Sequence, residues 1–497
     1  MKQQYKYLKS GTDVRGVAVG DNITLTDEAV LAISRAFVKW LSLKYNKAAF
    51  KIAVGHDSRI SAQRIFACVK QAVLSSGSDV VYTGLSSTPS MFILLKKSHF
   101  DCDASIMLTA SHLPYNRNGL KFFTPEGGLD SSQIDEILQI AENGDFLSGE
   151  GNYSERSFMD EYSKILVDSV RAACGSEQPL KGKKIIVDAG NGAGGFFTEK
   201  VLSPLGANTE GSQFLQPDGY FPNHIPNPED KEAIDSLCAA VLKNKADFGI
   251  IFDTDVDRAG AVDASGAEIN RNRLIALLSA ILLKDKPGVI VTDSVTSDGL
   301  AVFIKKLGGE HLRFKRGYKN VIDKSKELNA SGKYSPLAIE TSGHAAFKEN
   351  YFLDDGAYLV TKLLILLASL KDGESITDLI KDLPEPAESD EVRISFSDPS
   401  NFKADGKRVI EELKEIAKTE PFMTLAETNY EGVRINFDKE HGDGWLLVRM
   451  SVHDPVMPIN FESDVKGGNK VMAKKLLSLL APYAFLDTTN LINYIKK

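Results

Sequence analysis

Short runs of β-branched and aliphatic residues recur along the chain. Each stops at a polar turn and is followed by a stretch of helical spacing. Three of them look alike: "KIAVGHDSR" from Lys51, "KIIVDAGNGAGG" from Lys184 and "GVIVTDSVTSDG" from Gly288. Each predicts a strand that ends in an Asp-bearing turn, then a helix, then a glycine (Gly77, Gly206 or Gly308) ahead of the next strand. That is the grammar of a βαβ unit with a glycine closing the crossover helix. Its recurrence predicts three α/β domains of similar build, each able to point strand-end loops into a shared crevice. The pattern then changes. After "LPEPAESDE" come "VRISFSD", a helical "ADGKRVIEELKEIAK", the strands "YEGVRINF", "GWLLVRMSV" and "INFES", and an amphipathic "NKVMAKKLLSLLAPY". Alternating strands with two helices predict a smaller α+β domain on an antiparallel sheet, with the Pro- and acid-rich stretch from Leu383 to Glu391 at its border. The expected division is 1–155, 156–265, 266–384 and 385–497.

Length agrees, because 497 residues are too many for one core. The start "MKQQYKYLKSGTD" has no apolar stretch of a secretory signal, and "LIALLSAILL" is too short to span a bilayer, so a cytoplasmic, soluble protein is expected, away from membranes. Cys68, Cys102, Cys174 and Cys238 lie far apart without a CxxC pair, which suggests neither zinc nor a disulfide framework. The formal charge of -8 argues against a nucleic-acid partner, which would call for a basic face. Cations that bind an anionic ligand would have to be gathered locally.

Two segments carry chemistry. In "FGIIFDTDVDRAG" a strand from Phe248 to Phe252 opens into Asp253, Asp255 and Asp257, with Arg258 directly after. Carboxylates converging on one point repel unless a cation lies between them, so a hard divalent ion is the natural occupant. An EF-hand does not fit, since Arg258 and Ala264 stand where its Gly and bidentate Glu belong. A solvated acidic turn is the plainer alternative, although strand ends are where α/β folds place ligands. In "SIMLTASHLPYNRNGLKFF" an apolar strand runs into a turn that presents Ser111 beside His112, with Lys121 following Gly119. Ser111 could cap a helix. The G-x-S-x-G elbow of a hydrolase nucleophile is missing.

Taken together, "TASHLPYNRNGLKFF", "DTDVDR" and "IETSGHAAFKENYFLDDGAY" resemble the phosphoserine, metal and sugar-binding loops of the α-D-phosphohexomutase superfamily, the phosphoglucomutases and phosphomannomutases. "GTDVRG", "GHDSR", "DAGNGAGG" and "GYFPNHIPNPED" support the match, which covers nearly the whole chain in the family's order. The resemblance implies three similar α/β domains and a smaller fourth around one cleft. It implies a phosphorylated Ser111, with Mg²⁺ bridging it to Asp253, Asp255 and Asp257. Lys121 matches the family's candidate general base, and Arg15, Arg258 and His112 the groups around the phosphoserine. Glu340, Ser342 and His344 match the sugar loop, and Lys315 of "FKRGYKN" a segment lining the cleft. The implied reaction interconverts hexose 1- and 6-phosphates of glucose or mannose, by way of a bound glucose 1,6-bisphosphate or a related hexose bisphosphate.

The last domain departs from the family. Its distal-phosphate loop usually reads R-x-S-G-T-E-P or R-x-S-N-T-x-P, and this chain has "RMSVHDP". Arg449, Ser451 and Pro455 stand. Val452 and His453 replace the small residue and the threonine, which narrows the backbone geometry and exchanges a hydroxyl donor for an imidazole. The sequence therefore also admits a phosphosugar-binding homologue without turnover, or a net phosphosugar phosphatase. It leaves the preferred sugar and the oligomeric state open.

Overall fold

Every residue of the strand Ala104–Leu108 is buried, as a strand covered on both faces requires. In the computed structural model, which describes residues 4–371, 373–451 and 454–497, this strand lies inside a mixed sheet. The sheet runs Lys9–Ser10, Asp13–Val17, Arg117–Thr124, Ala104–Leu108, Lys51–His56, Asp79–Leu85, Tyr153–Glu155. Lys51–His56 is parallel to both Ala104–Leu108 and Asp79–Leu85, whereas Arg117–Thr124 returns antiparallel and sets Lys121 opposite Met107. The helix Ala62–Ser75 forms the predicted crossover and ends ahead of Gly77, whose φ of 77° only glycine adopts freely. The helix Asp27–Tyr45 starts on Thr26, whose hydroxyl accepts from the Ala29 amide, and buries Val30, Ile33, Phe37 and Leu41 at helical spacing.

The second predicted unit is only partly regular. Ile185–Asp188 runs parallel to Phe248–Phe252, which pairs antiparallel with Ala259–Asp263. After Ile185–Asp188, however, the expected helix is reduced to a 3₁₀ turn at Ala193–Gly195 and a π-helical turn at Thr198–Leu202, and the return strand to isolated bridges at Asn208 and Gln213. The glycines explain the loss. A Cβ at Gly192 would lie 2.7 Å from the Thr254 carbonyl and one at Gly195 only 2.1 Å from that of Leu215. This stretch is built for close backbone approach, and glycine is a poor helix former. Lys231–Asn244 is the long helix that leads into Phe248–Phe252.

These two domains, Met1–Asn270, form one compact unit together with Ser342–Asp378 of the third; the second unit is Arg271–Thr341 with Leu379–Lys497. In the second unit Val289–Thr292 is parallel to Glu310–Arg313 and to Leu337–Ile339. The helix Asp298–Lys306 crosses over and closes near Gly308, with φ at 79°. An antiparallel sheet follows, in the order Met423–Leu425, Val433–Phe437, Gly444–Val448, Val456–Ser463, Glu388–Phe396, Leu486–Asp487. The helices Phe402–Thr419 and Gly468–Leu480 bury Val409, Leu413, Met472 and Leu476 in its core. Glu388–Phe396 begins inside the predicted linker, so the domain border is itself part of the sheet. Three α/β domains and an α+β domain are thus the observed fold class. "LIALLSAILL" lies in the helix Arg271–Leu283, largely buried in the protein, and among the described residues no helix is long and apolar enough to cross a membrane. All four cysteines are free.

Candidate active site

Ser111 sits in the turn between Ala104–Leu108 and Arg117–Thr124 with a φ of 52°, left-handed backbone that few residues other than glycine adopt. Its amide donates to Thr109 Oγ1 at 2.9 Å. The Ser111 hydroxyl, almost fully buried, donates to Asp253 Oδ2 at 3.1 Å and accepts from Arg258 Nη2 at 3.2 Å, while His112 Nδ1 lies 3.3 Å away. Burial, then Arg258 and Arg15, push the His112 imidazole down to about 2, so it is neutral. Arg15 pairs with Asp13 at 2.6 Å and donates to the carbonyl of Ala110 at 3.4 Å, one residue from the serine.

The strand Phe248–Phe252 delivers the three acids from its end. Val256 between them has a φ of 67°, an outlier for a β-branched residue, and the surroundings fix it: its carbonyl accepts from the Gly356 amide at 3.1 Å, and its amide donates to the Asp253 carbonyl at 3.3 Å. Thr88 holds Asp255 twice, by its hydroxyl on Oδ2 at 2.5 Å and by its amide on the carbonyl at 2.8 Å. Lys121 Nζ lies 2.5 Å from Asp257 Oδ2 and 3.4 Å from Asp255 Oδ2. Burial, followed by the charge of Asp257, lifts the Asp253 carboxyl well above the usual range. Asp257 is held below it: burial works in the other direction, but Lys121, His344 and Arg258 outweigh it.

Asp253, Asp255 and Asp257 each offer a carboxylate oxygen within 4.8 Å of the others. Asp255 Oδ1 and Asp257 Oδ1 are buried with no hydrogen-bond partner among the described residues. Buried carboxylate oxygens left unpaired are costly, and a hard divalent cation satisfies them, so the donor set fits Mg²⁺. Arg258 closes the other side, donating to Asp253 Oδ2 from Nε at 3.1 Å and Nη2 at 3.0 Å, and from Nη1 to Asn227 Oδ1 at 3.1 Å. His344 faces the same acids, with Nδ1 3.9 Å from Asp257 Oδ1 and bonded to Asp354 Oδ2. Although burial opposes its charge, Asp354 and Asp257 raise it to about 9.

Ser111, His112, Lys121, the three acids, Arg258, Arg15 and His344 are therefore brought together in the first unit, which also holds the buried Ser342. Glu340, Lys315, Arg449 and Ser451 belong to the second unit. There the buried Glu340 accepts from the Gly317 amide at 2.6 Å, which ties it to the turn carrying the exposed Lys315. Arg449, mostly buried, lies 3.5 Å from Glu391, and its amide donates to the Pro458 carbonyl at 3.2 Å. The Ser451 hydroxyl accepts from the Asp454 amide at 3.2 Å. Val452 and His453 lie outside the described residues.

Sequence reasoning missed Thr88, Asn227 and Asp354, which reach the site through other side chains. Asn227 and Asp354 stand inside the quoted "GYFPNHIPNPED" and "YFLDDGAY", so the motifs held them without singling them out. Thr88 begins a short helix in "SSTPS", where a hydroxyl reads as a cap.

Comparison with known proteins identifies the family. Family models described as phosphoglucomutase/phosphomannomutase, alpha/beta/alpha domains I, II and III, match residues 8–148, 160–266 and 270–387. A phosphoglucomutase of Neisseria meningitidis serogroup A is 32% identical over 459 residues, covering 91% of this chain and 92% of that protein. A phosphomannomutase/phosphoglucomutase of Pseudomonas aeruginosa is 31% identical over 456 residues, covering 91% of each. The crystal structure of a phosphoglucomutase/phosphomannomutase family protein from Burkholderia thailandensis superposes with a TM-score of 0.81 at 28% identity, covering 97% of this chain and 100% of that one.

Proposed function

Since the chain belongs to the phosphoglucomutase/phosphomannomutase family of the α-D-phosphohexomutase superfamily, we propose that it moves a phosphoryl group between the 1- and 6-positions of a glucose or mannose phosphate. The observation that supports this best is the Ser111 hydroxyl, 3.1 Å from Asp253 and 3.2 Å from Arg258, beside carboxylate oxygens with no hydrogen-bond partner among the described residues. Phosphoryl transfer depends chiefly on positioning and on neutralising spread negative charge, and this site is made of groups that do both.

In this reading Ser111 carries the phosphoryl group. The P–O bond to Ser111 breaks as one to the sugar hydroxyl forms, giving a bound hexose 1,6-bisphosphate, and the other phosphate returns to Ser111 in the second half. Lys121 takes the hydroxyl's proton and gives it back in the reverse step. Arg258 and Arg15 offset the charge on the transferring group. Asp253, Asp255 and Asp257 would hold Mg²⁺, which would supply charge neutralisation for the transferring phosphoryl group; Lys121 forms an ion pair with Asp257 at 2.5 Å. Neutral His112 is a hydrogen-bonding neighbour of the serine oxygen. The resemblance to the family assigns Glu340, Ser342 and Lys315 to the sugar, and Arg449, Ser451 and His453 to the distal phosphate. The setting is cytoplasmic.

The altered "RMSVHDP" loop favours a second reading, a homologue that binds phosphosugars with weak turnover or releases phosphate to water. One assay separates the three. Purified protein with Mg²⁺, glucose 1-phosphate and a trace of glucose 1,6-bisphosphate should yield glucose 6-phosphate. Free phosphate would indicate a phosphatase, and saturable binding without either product a binding protein.

A further inference from the structure

Arg59 belongs to the quoted "GHDSR", yet the chemistry above gives it no task. Its side chain is fully buried. Its guanidinium serves the backbone of the Ser111 turn: Nη1 donates to the carbonyls of Pro114 and Arg117, each at 2.8 Å, and Nη2 to that of Leu113 at 2.6 Å and to that of Ser111 itself. Asp57, also fully buried, faces Arg59 Nε at 3.2 Å and accepts the Arg59 amide at 2.9 Å. The ring of Phe221 covers the guanidinium at 5.2 Å.

The turn needs such a holder. Its carbonyls point inward, where leaving them unpaired would be costly, and Ser111 adopts a backbone conformation that a side chain disfavours. A planar, permanently charged fork can satisfy several carbonyls at once, which a lysine's single ammonium does poorly. We infer that Arg59 is a positioning residue for phosphoryl transfer: it clamps the turn through the carbonyls of Ser111, Leu113, Pro114 and Arg117. The Ser111 oxygen thereby stays aimed at Asp253 and Arg258 whether it bears a proton or a phosphoryl group. The catalytic part of this inference rests on the Ser111 chemistry proposed above; the clamp itself does not.

Arg59→Lys keeps a positive charge opposite Asp57 and so protects the fold. Its kcat should fall about 10- to 100-fold with KM changed by less than about 3-fold, because misplacement of the reacting group costs rate more than binding. Its phosphoserine, followed by intact mass, should lose phosphate to water faster than wild type. Amide hydrogen exchange should quicken in the peptide spanning 109–119. Val69→Ala, a cavity variant in the core of the same domain, controls for general destabilisation and should leave all three unchanged. Wild-type exchange in that peptide for Arg59→Lys, or a comparable loss of rate in Val69→Ala at equal destabilisation, overturns the inference. If wild-type protein shows neither turnover nor phosphate on Ser111, the mutase reading falls, and exchange alone decides whether Arg59 is the clamp.

Discussion

At the scale of single residues, the acids and Lys121 form a set that is electrostatically incomplete. Four buried acids, Asp253, Asp255, Asp257 and Asp354, face three cations, Lys121, Arg258 and His344, and the excess shows in the raised carboxyl of Asp253 and in oxygens of Asp255 and Asp257 that have no hydrogen-bond partner among the described residues. Asp255→Asn preserves shape and removes one charge from a crowded site. The fold should survive, with a melting temperature equal to or above wild type in EDTA, while kcat drops by about 10²-fold or more. Titration calorimetry with Mg²⁺ should show the matching loss of affinity; full activity of the wild type in EDTA would contradict the metal reading. A second expectation concerns Val452 and His453. Val452→Gly with His453→Thr returns this loop to the small residue and threonine of the family pattern, which the proposed function assigns to the distal phosphate. It should lower the glucose 1,6-bisphosphate needed for half-maximal rate, measured by activator titration, and a higher requirement would point to a different ligand. Ser111 and the acids were legible because they fall at strand ends inside compact motifs. Thr88 and Asp354 were not, since each acts on a neighbour, Asp255 or His344, that only the fold brings near.

Among the elements, the repeated Asp-bearing turn proves to be more than punctuation. Asp57, Asp188 and Asp293 end equivalent strands, all three fully buried, and each holds a loop. Asp57 backs Arg59. Asp293 accepts the Thr341 hydroxyl at 2.8 Å, within the "ETSGH" segment that resembles a sugar-binding loop. Asp188 accepts the Gly190 amide at 2.9 Å and faces His224 Nε2 at 3.1 Å. The alternation of strand and turn could be read from the sequence, and with it Gly77 and Gly308. The helix after Asp188 could not, because spacing says nothing of the carbonyls that crowd Gly192 and Gly195. The Asp188–His224 pair carries its own pH dependence. Burial opposes charge on His224, but Asp188 prevails and raises it above its ordinary value. The pair's stabilisation is therefore complete below about pH 6.5, the unfolded imidazole's range, and is lost as pH rises through the higher folded value. Wild type should lose more thermal stability than His224→Asn between pH 6 and pH 8.5, as read by parallel melting curves. Identical slopes would mean that His224 stays neutral.

For the whole molecule, the division into compact units does not follow the domain count. Arg271–Thr341 of the third domain shares a unit with the fourth, while Ser342–Asp378 falls in the first unit, and a buried cationic junction links the parts that share a unit. Arg434, on a strand of the last sheet, donates to the carbonyls of Ser294 and Thr296 at 3.2 and 3.0 Å and pairs with Asp298 at 2.8 Å, while its guanidinium lies 3.5 Å from the centre of the Trp445 ring. Glu462 accepts from Trp445 Nε1 at 2.9 Å and from the Asp298 amide at 3.1 Å, and Glu431 accepts from the Ser294 hydroxyl at 2.6 Å. Burial, followed by repulsion from Arg313, pushes Arg434 down to about 9, so its charge is held at a cost that its partners offset. None of this is visible in sequence, where Arg434 is one polar position in an alternating strand. Arg434→Leu would leave the Ser294 and Thr296 carbonyls unpaired, and loss of one partner from a buried charged set costs roughly 3–5 kcal/mol. Within each domain the cores are untouched, so that loss should fall on the coupling between them. Calorimetric melting of the variant should show the last domain unfolding in a separate, earlier transition, where wild type melts the second unit as one. A single transition merely shifted to lower temperature would show instead that the two domains are coupled through their other contacts.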